Sequence, residues 1–277
     1  MNFMPARSKI PAQRASGRLA LSCRRHGAVT RIETLYQQGC LKARLPRPAD
    51  PEILDAVTLN ISGGVAGGDD LATTITLHDG AQANVASQAA ERIYRALGPP
   101  ARIATSIAIG PGATLHYLPQ ETIFFDGFAL DRTLEIDLDE TASYLGVESL
   151  VFGRQAMSES IRHGQLNDRV TLRRRKNLIF QDMTRLHGDI AAQLGRKAVA
   201  AGGIATAGII FAAPNAAAVL PAIRAAIADH HAGASALDQN LVFVRVLAPS
   251  ALSLRHCVIA ALAACRGGRA LPLVWQG

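Results

Sequence analysis

The chain has 277 residues, of which 49% are hydrophobic, 18% charged and 5% aromatic, and a formal net charge of +7. That is long enough for a core without disulfide support and too apolar for a disordered segment. The longest apolar stretch near the end, CVIAALAAC, is far short of a membrane span, and the basic start has no apolar signal core, so a cytoplasmic protein is expected.

Residues 1–14 read as a flexible basic tail. From Arg18 to Ile32, RLALSCRRHGAVTRI alternates with period two on both sides of His26-Gly27, which predicts two strands joined by a tight turn. CLKARLPRPADPE carries three prolines and reads as a loop. Next comes ILDAVTLNISGGVAGGDDLATTITL, where an alternating run enters four glycines, meets two aspartates and resumes alternating. SQAAERIYRALGPPA reads as a short helix from Gln88 to Leu97, stopped by Gly98 and two prolines, with Ile93, Tyr94 and Leu97 toward the core.

The middle of the chain repeats. In ITLHDGAQANVASQ, IAIGPGATLHYLPQ and IDLDETASYLGVES, Ile75, Ile107 and Ile136 form one column and Leu77, Ile109 and Leu138 another. Gly80, Gly112 and Thr141 take the turn, followed by Ala81, Ala113 and Ala142, at spacings of 32 and then 29 residues. Neither strand of such a unit buries its apolar side alone, so successive units should stack. The expected fold is mainly β, a β-helix-like wrapped sheet of stacked coils, with an ordinary sandwich as the alternative.

Beyond RRRKNLIFQD the composition shifts. A strand is expected over Ile204–Phe211 and then a helix, with Asn215 as N-cap, an apolar stripe of Val219, Leu220, Ile223 and Ile227, and Pro221 shifting or bending its start. LVFVRVLAP predicts a strand and LSLRHCVIAALAACRGG a final helix. The expected organisation is one domain over 15–277: a β body at 15–200 and a strand and helix region at 201–277 packed on it as a small α/β attachment.

The glycine-rich loop fails both nucleotide readings. Gly63, Gly64, Gly67 and Gly68 lack the G-x-G-x-x-G spacing and precede a strand, and Asp69 and Asp70 stand where a phosphate loop needs lysine. Asp69 either ties the turn through its backbone or acts as a functional carboxylate. No G-x-S-x-G or H-E-x-x-H occurs. His230 with His231, and His256 with Cys257, are adjacent pairs that point apart on a helix, and His116 is a lone strand histidine. Cys23, Cys40, Cys257 and Cys265 form no C-x-x-C pair and are expected to be reduced and structural. Asp69, Glu121, Asp126, Glu148 and Glu159 are read as lying in loops or at strand ends, where stacking would gather them; oxygen ligands of this kind suit transient handling of a divalent ion. The basic runs at 23–26 and 173–176 are read as solvated edges, with nucleic acid disfavoured because no zinc-finger, RNP or Arg-rich helical pattern accompanies them.

NISGGVAGGDDL, SQAAERIYR, YLPQETIFF, FGRQAMSE and the terminal PLVW occur in the order of the landmarks of the urease accessory proteins UreD and UreH, and the chain resembles that family over most of 18–275. The resemblance implies a largely β fold with coils in a helical wrap and two helices. It also implies a non-enzymatic urease maturation factor: a scaffold and nickel chaperone that binds apo-urease and recruits UreF and the GTPase UreG. No permanent cofactor is implied, only transient nickel moving along an internal passage lined by carboxylates. The motif matches carry over Gly67, Gly68, Arg92, Tyr94, Pro119, Gln120, Gly153 and Arg154, with Gly63 and Gly64 in the same turn. Asp69, Glu121, Glu148 and Glu159 are the candidates for the nickel route. The chain departs from the family pattern at Ser158 before Glu159, at Leu273 in the place of an arginine, and at Cys40 between Gly39 and Leu41. Two other readings of the residues stay open: a metal-dependent hydrolase using these carboxylates, and a basic nucleic-acid-binding β protein.

Overall fold

The computed structural model describes residues 14–153 and 161–276. The chain enters through a hairpin of β1 (Ser16–His26) and β2 (Val29–Gly39), turned at Gly27 with φ +61°, as its alternation predicts. Leu41–Arg44, expected as loop, is instead strand β3, paired antiparallel with β4 (Leu54–Asn60) at a sheet edge. Only the residues after Arg44 are loop. Pro46, Pro48 and Pro51 have no N–H for a ladder, and the strand ends before the first of them.

The chain then winds. β5 (Asp70–Leu77), β6 (Gln82–Ser87) and β7 (Glu91–Ile93) make one coil; β8 (Ala101–Ile109), β9 (Thr114–Leu118) and β10 (Thr122–Phe124) make the next. β11 (Phe128–Leu138) and β12 (Ser143–Phe152) begin a third, which leads into β13 (His163–Arg174). Each coil lays its first strand in one sheet and its second in the facing sheet, with β7 and β10 as a short third side. Equivalent strands pair in parallel. Ile75 pairs with Ile107 and Ile107 with Ile136, while Leu77, Ile109 and Leu138 form a neighbouring rung. Ala81, Ala113 and Ala142 are fully buried where the chain crosses between sheets, small side chains in closely packed corners. The stacked coils read from the repeat are therefore the fold.

The segment expected as a helix over Gln88–Leu97 is a correction. Glu91–Ile93 forms β7, which pairs in parallel with β10. Its backbone bonds go outward: Val65 N–H donates to the Arg92 carbonyl and Tyr94 N–H to that of Val65, both at 2.7 Å. Cross-chain pairing overrides a weak local preference, and Leu97, expected in the core, is 82% exposed.

β14 (Asn177–Asp189) returns antiparallel on β13, and α1 (Ile190–Gly195) follows, capped by the Asp189 carboxylate. β15 (Ala205–Ala212), β16 (Ala232–Asp238) and β17 (Leu241–Ala248) extend the second sheet in the order β16-β17-β15-β12-β9-β6-β4-β3. The first sheet runs β14-β13-β11-β8-β5-β1-β2. The late strands thus continue the β body through the β12–β15 ladder. α2 (Leu220–Ala226) and α3 (Ala251–Cys265) cover the outer face of the second sheet. Asn215 makes no side-chain cap: it sits at φ +59°, a 3-10 turn intervenes, and α2 begins at Leu220 with Pro221 in its first turn. The four cysteines are buried and form no disulfide. Among the described residues no helix is long and apolar enough to cross a membrane.

Candidate functional site: a polar layer between the sheets

Alternation sets which side chains meet between the sheets. On the first sheet the inward positions are Leu71, Thr73, Ile75 and Leu77 of β5; Ile103, Thr105, Ile107 and Ile109 of β8; Leu130, Arg132, Leu134 and Ile136 of β11; and Leu166, Asp168, Val170 and Leu172 of β13. The aliphatic members feed two separate apolar clusters, one at each end of the strands. Between the clusters the same positions turn polar: Thr105 is buried, Asp168 is buried, and Arg132 of the adjacent strand pairs with it. From the facing sheet, Glu148 and Tyr117 complete the layer.

At its centre is an ion triad. Arg132 Nε donates to Asp168 Oδ1 at 2.9 Å and Nη2 to Oδ2 at 2.6 Å, a bidentate pair. Nη1 reaches Glu148 Oε2 at 2.8 Å and Thr122 Oγ1 at 3.0 Å. Burial works against the Arg132 charge, but Asp168 and Glu148 outweigh it and raise its pKa, so the guanidinium stays charged. Burial raises the Glu148 carboxyl, with Arg132 pulling the other way and Asp168 adding to the rise.

Two cavities flank this triad and share Glu148 as a wall. The larger, of about 410 Å³, is lined by Thr58, Asn60, Glu91, Tyr117, Arg132 and Glu148 among others. Burial pushes the Glu91 carboxyl up to about 7, while the Asn60 amide, 3.2 and 3.3 Å from its two oxygens, pulls it down. The smaller, of about 20 Å³, shares Glu148 and continues past Asp168 and Gly208 to Asp182 and Arg245. Arg245 Nη2 donates to Asp182 Oδ2 at 2.6 Å, at the partly exposed outer end. The larger cavity thus reaches toward β4 and β7 and the smaller toward β14 and β17, with the triad between them. About 20 Å³ is room for a water-sized particle but not for a hydrated ion.

The other candidate residues have separate places. In the glycine loop, Gly64 has φ +140° and a Cβ there would lie 2.4 Å from the Tyr94 ring; at Gly67 it would lie 2.5 Å from Ala96 Cβ. Gly63 and Gly68 also have positive φ. Tyr94 Oη donates to the Gly63 carbonyl, and Arg92 is exposed. Asp69 is buried with both oxygens engaged, by Ala15 N–H and by Ala66 N–H, each at 2.8 Å. Gln120 is buried and donates to the Val274 carbonyl at 2.8 Å, with Pro119 half-buried beside it. Glu121 pairs with Arg255 of α3 at 3.2 Å, and Arg255 lies 5.0 Å from the Trp275 ring centre. Gly153 N–H donates to the Phe124 carbonyl. Asp126 is half-buried, accepts the backbone N–H groups of Arg162 and His163, and pairs with the Arg95 and Arg162 side chains. Arg154, Ser158 and Glu159 lie outside the described residues. Of the three route candidates among the described residues, Glu148 alone lines the cavities just described, and it sits within β12 rather than at a strand end. Among the described residues no three His, Cys, Asp or Glu side chains converge as a metal-holding set.

Glu91, Arg132, Asp168 and Asp182 were not singled out by sequence. The signal for Arg132 and Asp168 is the alternation itself: each is the lone charge among the inward apolar positions of its strand. Glu91 was hidden by the helix expected there.

The chain matches the model of the family described as UreD urease accessory protein over residues 15–276. It is 41% identical to the urease accessory protein UreD of Rhizobium rhizogenes over 95% of this chain and 96% of that protein. It is 41% identical to the UreD of Chelativorans sp. over 97% and 96%, and 41% identical to that of Rhizobium leguminosarum bv. trifolii over 99% and 100%. With the stacked-coil fold and a family match that runs from β1 to the buried Trp275, the chain belongs to the UreD urease accessory protein family.

Proposed function

We propose that this chain is a non-catalytic urease maturation factor that binds apo-urease, recruits UreF-like and UreG-like partners, and passes nickel between its two sheets in the cytoplasm. Family membership supports the role in urease maturation. The observation that carries the transport part is the pair of cavities that share Glu148, with Glu91, Glu148, Asp168 and Asp182 along their walls. Carboxylate oxygens with no sulfur suit a borderline divalent ion that must be bound and released rather than kept. Nickel is cargo in this reading, and no resident cofactor is needed.

The test is deletion of the gene in a urease-producing host, followed by separate measurement of urease protein, its nickel content and its activity. Normal amounts of urease polypeptide, poor in nickel and restored by the cloned gene, are expected. Unchanged nickel content would contradict the reading. Co-expression with the UreF-like partner is expected to yield a co-purifying complex.

A further inference from the structure

We propose that Arg132 is a built-in cationic gate of the inter-sheet passage: its guanidinium occupies the position a divalent ion must take between Glu148 and Asp168, and yields it as the ion passes. This rests on the transport reading above and adds a regulatory residue to it. Four observations converge on Arg132. It lines the larger cavity, Asp168 lines the smaller, and Glu148 belongs to both, so the triad is the wall between them. Its three nitrogens reach both carboxylates and Thr122 at 2.6–3.0 Å, which is a grip on the carboxylates rather than a looser packing contact. The cavity on the far side of the triad holds only about 20 Å³, so an ion entering it must shed water and take side-chain oxygens in exchange. Finally, the rungs on either side are filled by Leu130, Leu134 and Ile136, so this fold fills equivalent positions without charge. Buried ion pairs seldom stabilise more than apolar residues of similar volume. Stability alone is therefore a poor reason for this triad.

Two carboxylates facing each other in a narrow, dry gap form a deep well for a divalent cation, and a conduit fails if its binding is too strong to release the ion. A resident guanidinium makes that well shallower, because the ion must displace a bidentate partner to enter and the partner returns to expel it. The bulk balances: one cation enters the carboxylate pair as one leaves it, with Thr122 Oγ1 already within reach of the departing group. Gly208, opposite Glu148 across the β12–β15 ladder, leaves the neighbouring space open; a Cβ there would meet Phe243 at 3.4 Å, so a longer side chain would fill the gap.

The experiment measures nickel ion, added alone, retained after equilibrium dialysis by the purified full chain in complex with its UreF-like partner. Arg132→Met is expected to retain nickel on the order of tenfold more strongly than wild type, since two carboxylates are freed, and Arg132→Met with Glu148→Gln to lose that gain. A folded Arg132→Met complex with wild-type retention overturns the proposal. Should that variant not fold, Arg132→Lys keeps the charge but not the bidentate grip; retention above wild type supports the gate and wild-type retention overturns it. Gly208→Leu separates the two ideas. If it leaves urease nickel loading normal, the passage itself fails, and any nickel held by Arg132→Met then lies off the delivery route, which also overturns the gating role. If it blocks loading while Arg132→Met gains no nickel, the gate alone fails.

Discussion

Asp69 and Glu91 show how differently two buried carboxylates can be used. Both oxygens of Asp69 accept backbone N–H groups, one from Ala15 and one from Ala66, so its charge is spent on closing the glycine loop. Asp69→Asn keeps one good acceptor and sets an amide donor against the other N–H. A loss of about 1–3 kcal/mol of stability is expected, read from denaturant unfolding; unchanged stability with poorer nickel loading would instead move Asp69 to the transport route. Glu91 is raised to about 7 by burial, against the pull of the Asn60 amide and the Arg92 backbone N–H. Its folded state keeps the proton more tightly than the unfolded chain, so its contribution to stability falls as pH rises from about 4.5 to about 7 and stays low above that. Glu91→Gln is expected to flatten this part of the stability–pH curve and to melt higher than wild type at about pH 8. An unchanged slope would show that Glu91 ionises freely in the folded protein.

At the scale of elements, the coils were legible because their signal is repeated. Ile75, Ile107 and Ile136 share a rung in the structure as they share a column in the sequence. On the short third side β7 was not legible: it has three residues, too few for periodicity, and its pairing depends on β10 about thirty residues away. The basic run at 173–176 is partly structural, since Arg174 Nη1 donates to the carbonyls of Asp139, Glu140 and Ala142 at the end of a coil. The C-terminal segment is fastened by Trp275, which is buried and donates from Nε1 to the Leu118 carbonyl at 2.9 Å. Trp275→Ala is expected to cost about 3–5 kcal/mol, measured by chemical denaturation. Loss under 1 kcal/mol would mean that the segment docks without it. Leu273, where the family pattern has arginine, is exposed and lies two residues before that anchor.

For the molecule as a whole, the fold class followed from patterning, whereas the inter-sheet site followed only from three dimensions. The sequence separates Arg132 from Asp168 by 36 residues, and the β11–β13 register makes them direct neighbours. Glu148 joins from the opposite sheet, a contact no strand pattern encodes. What patterning did contain was an anomaly: a charge on an apolar face at each of these positions. In the proposed function nickel crosses the protein past Glu148, and everything else in the delivery route depends on that step. It is tested most directly by nickel per urease active site at limiting nickel, after maturation with Glu148→Gln in place of the wild-type chain, with complex assembly checked by size-exclusion chromatography. The account expects an intact complex and urease depleted in nickel; normal loading by the variant would contradict it.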